Sequence, residues 1–175
     1  MDHPIFREGQ NHGSHNRPRV RYVMTCGEPI QVVQATADRI EQLVALFDDY
    51  RQFYAQPSDP AAAREFLAGR LAREESVIFL ALRGEIGLGF TQLYPSFSSV
   101  SLQRLWILSD LFVAPHGRRQ GIAAALLERA RALAIETDSK ELVLETALDN
   151  TSARRLYERL GWRREGRFCT YQLRL

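Results

Sequence analysis

The chain has 175 residues, of which 45% are hydrophobic and 25% charged, the balance of an ordinary globular domain. No apolar run approaches the roughly 20 residues of a membrane span, and the first 29 residues hold no signal-peptide core, so a cytoplasmic protein with no membrane partner is expected. Cys26 and Cys169 are too few for a disulfide framework or a zinc knot, and no metal is expected.

The net charge of +2 conceals a polarity: residues 25–117 carry seven arginines against eleven carboxylates, and residues 118–175 carry twelve bases against eight acids. That split suits one face for a cation and another for an anion, while the low net charge and the lack of a recognition-helix motif argue against nucleic acid.

Residues 1–26 show neither helical nor strand periodicity, so a tail through residue 28 and one domain over residues 29–175 are expected. His3, His12 and His15 fall at irregular spacings that suit a solvated tail better than a metal site. From Gln31, QVVQAT reads as a strand. Asp38 is the expected cap of a first helix striped by Ile40, Leu43, Val44, Phe47, Tyr50 and Tyr54. Asp59-Pro60 is a cap and first-turn pair for a second helix running to about Arg73. Residues 76–82, 86–94 and 100–113 read as three consecutive strands, with turns at 83–85 and 95–99. Ile122, Leu126, Leu127, Ala130 and Leu133 define a third helix; residues 141–146 read as a strand, 150–160 as a helix ended by Gly161, and 167–175 as the last strand or strands. This order predicts a mixed α/β domain, a central and partly antiparallel sheet with helices on both faces.

Arg118, Arg119, Gln120, Gly121, Ile122 and Ala123 lie where a long strand gives way to a helix that brings no side-chain cap. The unpaired N–H groups of a first helical turn, the helix dipole and two arginines make an anion site there. Gly121 lets a diphosphate approach the backbone, and the small Ala123 keeps the next turn clear. The string lacks the GK[ST] element of a Walker loop and the G-x-G-x-x-G of a dinucleotide fold.

The run Leu111-Phe112-Val113-Ala114-Pro115 with RRQGIAAALL after it, and then ETALDNTSARRLYERLGW, resembles the GNAT superfamily of acetyl-CoA-dependent N-acetyltransferases over about residues 30–175. The resemblance implies a sheet splayed beside the strand ending at Val113. The coenzyme A pyrophosphate would rest on Arg118 to Ala123 and the pantetheine arm on the backbone of Leu111, Phe112 and Val113, with one amide polarising the thioester carbonyl. It further implies that Tyr157, otherwise readable as a core tyrosine, protonates the departing thiolate, and that Asn150 caps its helix, touches the pantetheine arm, or both. No cysteine or serine stands in a nucleophile motif with a histidine, so direct attack in a ternary complex is expected.

An amine of pKa about 10.4 arrives as an ammonium and needs a base. The strand Leu108-Ser109-Asp110-Leu111-Phe112-Val113 resembles that of diamine and polyamine acetyltransferases, which carry a glutamate at the position matching Ser109. Serine here leaves Asp110, or a water chain past Ser109, as the proton route, with Glu145 a further candidate. Asp48, Asp49, Asp59, Tyr50, Phe53, Tyr54, Tyr94 and Phe97 fall where the acceptor should approach. The resemblance points to a small-molecule amine as acceptor, with a protein lysine or a catalytically weak coenzyme A-binding module as alternatives, and a homodimer is open.

Overall fold

Strand periodicity over residues 77–113 and helical periodicity on either side of it build a single five-stranded sheet with helices on both faces. The computed structural model describes residues 28–175; the expected tail with His3, His12, His15 and Cys26 lies outside the described residues. The strands are β1 (Gln31–Gln34), β2 (Val77–Arg83), β3 (Ile86–Ser98), β4 (Gln103–Val113) and β5 (Leu142–Val143), in the spatial order β1-β2-β3-β4-β5. All neighbours are antiparallel except β4 and β5. The helices are α1 (Ile40–Phe53), α2 (Pro60–Ala72), α3 (Ile122–Glu136) and α4 (Thr151–Arg159).

β2 is buried along Ile78 to Leu82 because both sheet faces are covered. Ile78, Leu80, Phe90 and Phe112 pack against Leu43 and Phe47 of α1 and Leu67 of α2. On the other face Phe79, Leu93, Trp106 and Leu108 pack against Leu126, Leu127 and Ala130 of α3. Among the described residues, no helix is long and apolar enough to cross a membrane.

Several expectations are corrected. A 3-10 turn at Ala37–Arg39 precedes α1, so Asp38 does not cap it; the Thr36 hydroxyl bonds Asp38 instead. Residues 95–98 belong to β3 rather than to a turn. The β2 ladder ends at Val77↔Leu93, and beyond it β3 has a free side on which the missing donor of Pro95 costs no ladder bond. The strand expected over residues 141–146 shrinks to Leu142–Val143, paired with Trp106 and Ile107 before the chains diverge. Residues 167–175 form no strand: β5 offers too short a ladder to join, and Phe168, Tyr171, Leu173 and Leu175 stand exposed.

One irregularity positions the site. Gln92 pairs with Asp110 and Leu93 with Leu108, so Ser109 is the extra residue of a β-bulge. Upstream of it Trp106 and Leu108 face α3; downstream Leu111 and Val113 do, while Phe112 joins the α1 core. The bulge thus reverses the alternation and turns Asp110 toward α1.

Candidate active site

Beyond Ile107↔Val143 the parallel strands part, and the gap opens into a cleft of about 680 Å³. One wall is Leu108, Ser109, Leu111 and Val113 of β4, the other Leu144, Glu145 and Thr146 after β5. Its floor at one end is the 118–124 segment, and α4 contributes Asn150, Tyr157 and Arg155 at its rim.

The cradle end is built by backbone. Gly121 is the N-cap of α3, in the left-handed region at φ 80°, with no side-chain cap bond. Ala125 N–H is the first to bond within the helix, to the Gly121 carbonyl at 3.0 Å, so the amides of Ile122, Ala123 and Ala124 lack intrahelical partners. A Cβ at Gly121 would meet nothing within 4 Å, because it would project into the cleft. Arg119 also adopts a positive φ of 61°, curling the segment around the helix end. The Arg118 guanidinium donates to the Val113 carbonyl at 3.3 Å, tying the loop to the end of β4.

Gln120 has a different part from its neighbours. Its side chain turns away from the cleft, accepting from Arg83 at 2.6 Å and donating to the His116 carbonyl at 2.9 Å. It braces the loop, and only its backbone remains for a ligand. Phe112 likewise sends its ring into the α1 core, 6.0 Å from Tyr50 and 6.3 Å from Phe90.

The titratable groups meet farther along the cleft. Tyr157 lines it, its ring 6.0 Å from Trp162; burial, and then the neighbouring Tyr54, push its phenol pKa up. Asn150 caps α4 by accepting from Ala153 N–H at 3.2 Å and lines the cleft as well. Asp110 is half-buried behind Tyr50; burial pushes its carboxyl above the ordinary carboxylate range, and a hydrogen bond from Tyr50 partly opposes that. Ser109 faces the cleft and Asp110 does not. The sequence could not place these two, because the bulge that separates them has no local signature. Glu145 lines the wall opposite Ser109.

Two carboxylates expected on the acceptor side are engaged elsewhere. Asp48, only 6% exposed, accepts from the Ser58 hydroxyl at 2.7 Å, the Asp59 amide at 2.8 Å and the Gln52 amide at 2.9 Å. Asp59 caps α2 by accepting from Ala62 N–H at 3.0 Å. Together they hold the α1–α2 bend. Asp48→Ala removes the buried acceptor shared by three donors that water can still reach, and is expected to lower stability by about 1–2 kcal/mol, read by urea denaturation; a change below about 0.5 kcal/mol would contradict this bracing role. Among the described residues no group of three His, Cys, Asp or Glu side chains is placed to hold a metal ion.

Residues 42–162 match the acetyltransferase (GNAT) family model. The chain is 43% identical over 144 residues to the uncharacterized N-acetyltransferase YhfO of Bacillus subtilis, covering 82% of this chain and 97% of that protein. It is 26% identical over 132 residues to a thialysine N-epsilon-acetyltransferase of Caenorhabditis elegans, covering 75% of this chain and 82% of that one. A crystal structure of a probable acetyltransferase superposes with a TM-score of 0.79 at 46% identity, over 83% of this chain and 97% of that chain.

Proposed function

The chain belongs to the GNAT acetyltransferase family and is an acetyl-CoA-dependent N-acetyltransferase, and from that premise we propose that the cleft takes acetyl-CoA along β4 and the start of α3 and serves a small-molecule primary amine. Acetyl-CoA supplies the activated acyl group as a thioester; binding, orientation and proton traffic fall to the chain.

The amides of Ile122, Ala123 and Ala124, the positive end of α3 and the flanking Arg118 and Arg119 are complementary to a pyrophosphate, and the open space at Gly121 leaves room for it. Past Ile107 the β5-facing edge of β4 has no strand partner, so the backbone of Leu111 and Val113 suits an extended amide-bearing arm, while the carbonyl of Phe112 between them points to Gly89 of β3. A backbone N–H on this edge donates to the acyl oxygen where negative charge develops. Asn150, its oxygen engaged in capping, keeps its NH₂ for the same arm.

Tyr157 holds a proton at its hydroxyl for the departing sulfur. A phenol of pKa about 10 is already a weaker acid than a thiol of about 8.5, a difference of about 2 kcal/mol. Burial widens that gap, so Tyr157 acts by hydrogen bonding and by transfer concerted with bond cleavage rather than by prior ionisation. At the acceptor end Asp110 is the proton acceptor, and burial raises its carboxyl pKa, making it a stronger base than an exposed carboxylate.

The observation that carries this reading is the strand gap running from the uncapped start of α3 to Tyr157, with Asp110 behind its wall. The small acceptor is supported by the relative named for thialysine, matched over most of its length. The test is acetyl-CoA-dependent release of free thiol with polyamines, diamino acids, aminoglycosides, and lysine-bearing or N-terminal peptides. A small amine is expected to exceed every peptide in kcat/KM; turnover confined to peptides would overturn the small-acceptor reading.

A further inference from the structure

Asp110 and the cleft do not meet directly. The bulge at Ser109 turns Asp110 to the α1 side, and the polar groups that line the cleft there are Ser109, Tyr50 and Tyr54. The Tyr50 ring packs 6.0 Å from Phe112, which shares the α1-side face of β4 with Asp110, so its hydroxyl lies close enough to the Asp110 carboxyl for each to perturb the other. Its ring is held by Tyr54 at 5.1 Å, Phe90 at 5.7 Å and Phe112 at 6.0 Å, all three edge-on. Packing of this kind fixes the ring where it both lines the cleft and packs on the α1-side core that Asp110 faces.

We propose that Tyr50 relays the acceptor's proton to Asp110, its hydroxyl oxygen accepting a proton from the ammonium in the cleft while its own proton passes to the carboxylate. This rests on the reading of Asp110 as the base and assigns the route to it. One N–H bond of the ammonium breaks, and its electron pair stays on nitrogen as the attacking lone pair. A new O–H bond forms on Tyr50, the original one breaks, and that proton joins an Asp110 oxygen. Ammonium and carboxylate become neutral amine and carboxylic acid, and Tyr50 ends as it began.

The surroundings suit that part. Burial, and then the charge of Asp110, push the Tyr50 phenol pKa up, so the hydroxyl stays protonated between turnovers. Facing this pair are Tyr54 from α1 and Gln92 and Tyr94 from β3, with Arg70 and Glu75 acting on Tyr94 in opposite directions. Tyr157 and Glu145 line the rest of the cleft. Among the described residues the Asp110 carboxyl is shifted only by burial and by Tyr50.

The test compares Tyr50→Phe, Asp110→Asn and the double variant in the full chain, with the best small amine as acceptor. Each single variant is expected to lose about 100-fold in kcat at neutral pH, and the double variant to fall no more than about threefold further, because both changes interrupt one proton path. In the free enzyme, carbon-13 titration of the Asp110 carboxyl should move up by about one pH unit in Tyr50→Phe, since a donor to the carboxylate is lost. A slow Asp110→Asn beside a wild-type Tyr50→Phe overturns the relay and leaves the base reading standing. A wild-type rate and pH profile in Asp110→Asn overturns the base reading and the relay with it. Multiplying losses in the double variant also overturn the relay. If Tyr50→Phe fails to fold, 3-fluorotyrosine at position 50 keeps the ring and makes the hydroxyl a stronger donor; the acid limb of kcat should then move to lower pH, and an unmoved limb overturns the relay.

Discussion

Tyr157→Phe is expected to lower kcat by about 10³-fold, within the range attributed to a positioned general acid, while the dissociation constant of coenzyme A changes less than about twofold. The ring stays, so the contact with Trp162 at 6.0 Å and the packing of α4 on the α3 face survive. Only the hydroxyl is lost. Because burial raises the phenol pKa, the loss should be steepest for acyl donors whose thiol leaves poorly and smallest for those whose thiolate needs no proton. Rates from stopped-flow thiol detection and affinities from calorimetry separate the two quantities. A variant with unchanged kcat removes Tyr157 from the chemistry and leaves it as a packing residue.

Gly121→Glu is expected to weaken acetyl-CoA binding by about 10²–10³-fold. The residue holds φ at 80°, which costs an L-residue about 1–2 kcal/mol. The new side chain projects into the space where no atom lies within 4 Å, placing a carboxylate beside a bound pyrophosphate. Two unit charges about 4 Å apart repel by about 4 kcal/mol at an effective dielectric of 20, and mobility of the side chain and salt reduce that. Gly121→Ala carries the backbone strain with only a methyl group, so its smaller loss, read by the same calorimetry, apportions strain and charge. At saturating acetyl-CoA the Glu variant should retain most of its kcat, because the cradle lies apart from the reacting atoms. Unaltered affinity in both variants contradicts the placement of the pyrophosphate.

Much of this was legible in the residues. Helical stripes identified the first and third helices, the Asp59-Pro60 pair marked the start of α2, and α4 falls within the expected bounds with Asn150, one of whose two readings was a cap, at its start. The absence of a capping side chain at residues 118–121 was visible as a sequence feature, and the helix there begins uncapped at a left-handed glycine. Features set by tertiary geometry were hidden. A bulge adds one residue without a composition of its own, so the inversion that sends Asp110 behind Tyr50 had no local trace. Asp48 looked like a carboxylate for a cation because its three partners lie 4 to 11 residues away, across the α1–α2 bend. Residues 167–175 have a strand's composition, yet a strand also needs an edge long enough to pair with, and β5 contributes two residues.

The early division of charge takes on a narrower meaning. The basic third begins with Arg118 and Arg119, which line the cleft beside the uncapped start of α3. The acidic stretch contributes less to acceptor approach than its count implied, since Asp48 and Asp59 hold a bend and Asp110 is turned to the α1 side, away from the cleft lining.

The central claim is that acetyl-CoA lies in the strand gap with its pyrophosphate on the start of α3. Amide-resolved NMR of the protein titrated with acetyl-CoA tests it most directly. The N–H signals of Gly121 to Ala124 and of Leu111 to Val113 should shift most, while those of β1 at the far edge of the sheet stay in place. Large shifts on β1 or the α1–α2 bend, with Gly121 and Ile122 unmoved, would contradict the account.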